Sequence, residues 1–144
     1  MCFTIYIATN EVMPTILYDE SSRTLNTEDI TEDEETLKNI FSLPNIKFVG
    51  SDQGCGCGFR HALLDGNNWL TVLDEDQTNF DNSNHRNLVD FIVNNNITEK
   101  KIEILTCWEG DHNEPLKSFE TIQIQDLLKE DFYFKERALY TVRL

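Results

Sequence analysis

The sequence predicts a mixed α/β fold of the α+β kind: a single sheet with parallel and antiparallel strands, carrying two main helices. Three observations predict it. Short stretches with alternating apolar residues recur along the chain. Two other segments place their apolar residues at helical spacing. Neither an internal repeat, a low-complexity linker nor a compositional break divides residues 1–144, so one domain is expected, with its helices packed on its sheet.

In chain order, residues 2–8 read as a strand, with Phe3, Ile5 and Ile7 on one face and Cys2, Thr4 and Tyr6 on the other. A turn over 10–14 leads to a short strand over 15–18, expected as a hairpin partner of the first, and 19–28 reads as polar loop. Thr31 and Glu34 have capping-box spacing, and Asp33, Glu34 and Glu35 suit the positive end of a helix dipole. Leu37, Ile40 and Phe41 give that helix its apolar face, and Pro44 stops it. Residues 46–49 form the next strand.

The stretch 54–86 is the long excursion of the fold, with one strand over 69–73. Asp74, Asp76 and Thr78 imitate the start of a calcium loop, but Asn79 and His85 stand where glycine and glutamate are required, so the match fails. A second helix spans about 84–95 on a stripe of Leu88, Phe91 and Ile92, with Ser83 or Asn84 as its cap. Strands over 101–107, 118–125 and 138–142 complete the sheet, with one helical turn at 126–130. The alternation in 101–107 leaves open whether Ile102, Ile104 and Thr106 or Glu103, Leu105 and Cys107 face inward.

Composition narrows the function. The apolar share of 40%, with nine Phe, four Tyr and two Trp, belongs to a globular chain. A formal net charge of −14, from 26 acidic and 12 basic residues, repels phosphate backbones. Nucleic acid and anionic membranes are therefore not expected partners. A protein or small-molecule partner stays open, as does the oligomeric state. No signal peptide and no membrane helix are expected, which implies a cytoplasmic address. Thiols stay reduced there, so the four cysteines point to free thiols, metal ligands or catalysis rather than disulfides.

The chemistry concentrates in Gly54-Cys55-Gly56-Cys57-Gly58-Phe59. Five of the six glycines lie between Gly50 and Gly66, and half of the cysteines sit in this hexapeptide. If 46–49 and 101–107 are parallel strands of one sheet, their C-terminal ends share an edge, where open α/β sheets bind ligands. Cys55, Cys57 and Cys107 would then converge with Glu109, Asp111 and His112. Cys2 joins them only if the first strand runs antiparallel to both.

Three readings fit. The first is a metal site with zinc, ligated by Cys55, Cys57, Cys107 and His112, with Cys2 or His61 as alternatives for the last place. The single residue between Cys55 and Cys57 is shorter than the spacing of zinc knuckles. The second is thiol chemistry, with Cys55 and Cys57 as candidate catalytic nucleophiles, His61 or His112 as base and a nest of loop N–H groups to lower a thiol pKa. The third is a non-catalytic binding or interaction module in which the loop is structural and its cysteines are small hydrophobes.

Four stretches carry a resemblance. They are Cys2-Phe3-Thr4-Ile5-Tyr6-Ile7-Ala8-Thr9, the run Val49-Gly50-Ser51-Asp52-Gln53-Gly54-Cys55-Gly56-Cys57-Gly58-Phe59, Cys107-Trp108-Glu109-Gly110-Asp111, and Phe132-Tyr133-Phe134-Lys135-Glu136. Together they resemble a family of small, uncharacterised bacterial proteins with a Gly-Cys-Gly-Cys-Gly-Phe motif. The resemblance implies a bacterial cytosolic protein and pairs the cysteine loop with the Cys107-Trp108 segment. It implies no activity.

Overall fold

The computed structural model describes residues 2–65, 68–71, 81–96 and 98–144. Nine strands are described: β1 (Phe3–Thr9), β2 (Asn26–Asp29), β3 (Asn45–Gly50), β4 (His61–Asp65), β5 (Asn68–Thr71), β6 (Lys101–Trp108), β7 (Ser118–Gln123), β8 (Phe134–Lys135) and β9 (Ala138–Arg143). Six form the main sheet in the order β2-β3-β1-β6-β9-β7. β1 runs antiparallel to both of its neighbours, with Ile5 opposite Val49 on one side and Thr106 on the other. β3 and β6 are therefore parallel to each other, as expected, but β1 lies between them. At the far edge β7 pairs parallel with β9, so the sheet is mixed. The α+β class follows.

β1 is buried along its whole length, and its pleat sorts the core into two. Phe3, Ile5 and Ile7 join Val49, Ile102 and Ile104 on the face covered by helix α1 (Ser83–Asn95), which contributes Leu88, Phe91 and Ile92. Tyr6 and Ala8 join Leu105 and Cys107 on the opposite face, beneath Leu37 and Phe41. Burying each of these large side chains stabilises the fold by roughly 1.5–3 kcal/mol. The cover on the second face is a 3-10 helix, Glu32–Asn39, where helical spacing alone predicts only a helix. Its capping box is present, with the Thr31 N–H donating to Glu34 Oε1 at 2.9 Å. Buried Glu103 ends the segment by accepting the N–H groups of Ser42 and Leu43, both at 2.9 Å.

Two expectations need correction. Residues 15–18 do not pair with β1; Ile16 makes only an isolated bridge to Thr27. The strand β2 lies inside the predicted polar loop, because its ladder to β3 is built from backbone groups and asks for no apolar pattern. The long excursion adds a small second sheet, β5-β4-β8, in which β4 pairs antiparallel with β5 and parallel with β8. The predicted strand beyond residue 71 and the imitation calcium loop lie outside the described residues. Among those described, no helix is long and apolar enough to cross a membrane.

α1 also anchors the chain beyond β3. His85 is buried, accepts the Arg60 N–H on Nε2 at 2.8 Å, and holds Nδ1 2.8 Å from the Leu127 carbonyl. One neutral tautomer, protonated on Nδ1, satisfies both bonds. Burial pushes its pKa down to about 4 from an ordinary 6.5; the charges of Arg60 and His61 act the same way, and the Leu127 carbonyl opposes them. Folding thus favours the neutral ring. Stability is full above about pH 6.5, falls as the unfolded chain alone takes up the proton, and levels off below about pH 4, a change on the order of 3 kcal/mol. Urea midpoints of the native chain and His85→Gln across this window should converge on acidification; parallel profiles would contradict the assignment.

Candidate metal centre

Because β1 opposes both neighbours, its start lies at the edge where β3 and β6 end. This meets the condition under which Cys2 reaches the cysteine loop. Cys2 stands immediately before β1, and its carbonyl accepts the Glu109 N–H at 2.7 Å, which extends the β1–β6 ladder by one bond. The loop after β3 arrives at the same place.

The loop is held from inside and from two sides. Ser51 accepts and donates at its centre: its N–H and hydroxyl both bond the Cys55 carbonyl, at 2.7 and 2.6 Å, and its oxygen accepts the Gly58 N–H at 3.1 Å. Gly54 turns the chain at φ +80°, a conformation costly to any residue with a Cβ. Gly56 opens a short 3-10 turn, Gly56–Gly58, that lies directly against β1. A Cβ on Gly56 would fall 2.5 Å from the Phe3 carbonyl oxygen, a backbone atom that has no room to yield. From the other side Asn84, on the first turn of α1, donates to Asp52 and to the Gly58 carbonyl and accepts the Asp52 N–H at 3.0 Å. Phe59 then plunges into the core. The loop's own bonds absorb the N–H groups of Ser51, Gly54, Gly58 and Phe59, which takes these four out of the expected anion-binding nest.

The close approach of Gly56 to Phe3 gathers three sulfurs. The Sγ atoms of Cys2, Cys55 and Cys57 lie within 4.8 Å of one another, and all three residues are half-buried. Among the described residues this is the one group of three or more histidine, cysteine or carboxylate side chains placed to hold a metal ion. A zinc–thiolate site with bonds of about 2.3 Å separates its sulfurs by about 3.8 Å, so the three thiols need little movement to share an ion. The Phe3 N–H donates to Cys57 Sγ at 3.4 Å. Cys55 is the hub, in hydrogen-bond contact with Cys57 and Cys2. Burial pushes its thiol pKa up, and the Cys57 backbone N–H pulls against it.

The predicted ligand set Cys55, Cys57, Cys107 and His112 is thus not the one assembled; Cys2 stands with Cys55 and Cys57 instead. Cys107 pairs with Thr4 in the β1–β6 register and takes the face opposite to Phe3. The Thr4 hydroxyl donates to the Cys107 carbonyl at 2.7 Å and lies 3.3 Å from its sulfur. Burial pushes the Cys107 thiol up to about 11, despite the Thr4 contact, and the charges of Asp111 and Glu34 add to the rise. His112 leaves the edge with the same face. Its Nε2 sits 2.9 Å from the Asp33 carbonyl, in a cleft lined also by Tyr6, Glu34 and Glu109. His61 is buried, with Nδ1 2.7 Å from the Phe59 carbonyl and its ring stacked on Phe3 at 4.3 Å. Trp108 meets both rings edge-on at 5.4 Å, so His61 is locked into an aromatic cluster. Ser51 and Asn84, which shape the loop, carry no spacing signal that sequence reasoning reads.

No protein-family model, curated protein or solved structure matches this chain.

Gly56→Ala should therefore cost on the order of 2 kcal/mol through the clash with Phe3, and should part the loop from Cys2. Denaturant midpoints, together with the yield of bifunctional thiol crosslinks between Cys2 and the loop, measure both effects. In the native protein, iodoacetamide at mildly alkaline pH should modify Cys107 on the order of a hundredfold more slowly than an ordinary free cysteine. Peptide mapping after timed alkylation reads this directly, and equal labelling of all four cysteines would contradict it.

Proposed function

We propose that this protein binds a thiophilic metal ion, zinc in the first instance, through Cys2, Cys55 and Cys57. The observation that carries the reading is the grouping of the three sulfurs within 4.8 Å, drawn from parts of the chain far apart in sequence. Thiolate is a soft ligand that selects zinc or monovalent copper over magnesium and calcium. Binding removes the three thiol protons, so affinity should rise with pH, and the raised Cys55 pKa carries that rise to higher pH. A bound ion would tie the residue before β1 to the loop after β3 and stabilise the fold in proportion to its occupancy. We place the protein in the cytosol, where reduced thiols stay open to metal.

The reactive-thiol reading asks for a cysteine with a depressed pKa. Cys55 is shifted the other way, because burial outweighs the Cys57 N–H that favours its thiolate. The metal reading needs no depressed pKa.

Elemental analysis of protein purified without a metal-affinity step, followed by zinc titration of the chelator-treated chain, is the test. One zinc per chain is expected. It should be lost in Cys2→Ser, Cys55→Ser and Cys57→Ser, and kept in Cys107→Ser. A native chain that carries no zinc and takes up none on titration would overturn the reading.

A further inference from the structure

We propose that the metal held by Cys2, Cys55 and Cys57 takes an exogenous thiol, bound as its thiolate, as the fourth ligand; the inference rests on the metal-binding reading above. Four observations lead to it. First, zinc favours four ligands, and among the described residues no fourth histidine, cysteine or carboxylate belongs to the group. Second, the three cysteines are only half-buried, so a ligand from solution can reach the ion.

Third, the charge of the centre selects the donor. Three thiolates more than neutralise a divalent cation. Water on such an ion is weakly acidified compared with water on zinc held by neutral histidines, and hydroxide is a poor fourth ligand there. A soft sulfur donor suits the electron-rich ion better. Fourth, most of the backbone donors around the cysteines already have partners. The N–H groups of Ser51, Gly54, Gly58 and Phe59 are consumed within the loop, and those of Phe3 and Cys57 are directed at sulfur. The neighbouring Arg60 guanidinium is turned to the Lys129 and Glu130 carbonyls and the Tyr133 ring.

The step is an exchange without redox change. A metal–sulfur bond forms, the S–H bond breaks, the proton passes to buffer, and water bound to the metal leaves. The thiol can be a small molecule or a cysteine of another protein, since the metal recognises the sulfur in either case.

Cobalt(II) substituted into the full chain tests this, because the near-ultraviolet sulfur-to-cobalt charge-transfer band grows with the number of thiolates. Titration with 2-mercaptoethanol should raise the band by roughly one-third, as four thiolates replace three, and saturate. The thioether 2-(methylthio)ethanol should leave it unchanged. A capped tripeptide with one central cysteine forms the second arm: tighter binding than the monothiol assigns the position to a protein cysteine, and weaker binding assigns it to a small thiol. Cys107→Ser should respond as the native chain does. A band that forms on cobalt addition but is unmoved by millimolar thiol overturns the proposal and leaves the metal reading standing. So does cobalt that follows the thiol off the protein on desalting, or a four-thiolate band without added thiol that is lost in Cys107→Ser. Absence of any charge-transfer band removes the metal reading itself.

Discussion

The direction of β1 is the constraint on which the rest of this molecule depends. β3 and β6 run parallel to each other, and a third parallel strand between them would have brought its own C-terminal end to their shared edge. β1 runs the other way and brings its beginning there instead. The residue before the strand, Cys2, is thereby set among the loops that leave β3 and β6. The contact of Gly56 with the Phe3 carbonyl makes that placement tight, because it leaves no side chain between the loop and the strand. Ladder hydrogen bonds, apolar burial on both faces and a glycine without a Cβ all act at the first two residues of one strand.

Strand pleating then separates Cys107 from Cys57. Phe3 faces the core under α1 and offers its N–H to Cys57; Thr4, one residue on, faces the other core and grips Cys107. The two environments differ in kind. At the sheet edge three thiols stand together, half-buried. On the Thr4 side one thiol is sealed among Tyr6, Leu37 and Leu105, with its pKa raised by burial and by nearby carboxylates. The contact of the Tyr6 hydroxyl with Glu34 closes that second face beneath the 3-10 helix.

Much of this was legible. Alternation located β1, β3, β6 and β9 within a few residues, because each has at least one face in a core and the pattern records it; it located β7 as well, although no residue of that strand is fully buried and Phe119 faces solvent. Helical spacing located α1 for the same reason. Glycine density located the loop, and the direction of the first strand was recognised as what decides the place of Cys2. The rest was hidden for physical reasons. β2 is held through backbone bonds, which leave no mark on side-chain pattern. Both faces of β6 are buried, so alternation within it does not say which way Cys107 points; only the register against Thr4 does. The roles of Ser51 and Asn84 rest on hydrogen bonds between segments far apart in sequence.

The long span between Cys2 and the loop has a consequence for how the chain matures. A zinc finger whose ligands are neighbours can capture its ion from a nearly unstructured peptide, and the ion then organises the chain. Here Cys55 and Cys57 are neighbours in the chain, but the third sulfur joins them only when β1 has docked beside β3, a non-local pairing that must close a long loop. The complete centre is therefore a product of the fold and not its seed. A metal bound as proposed would then report that the central strand has found its place, and a newly made chain that has not reached that state would hold the ion by two sulfurs at most.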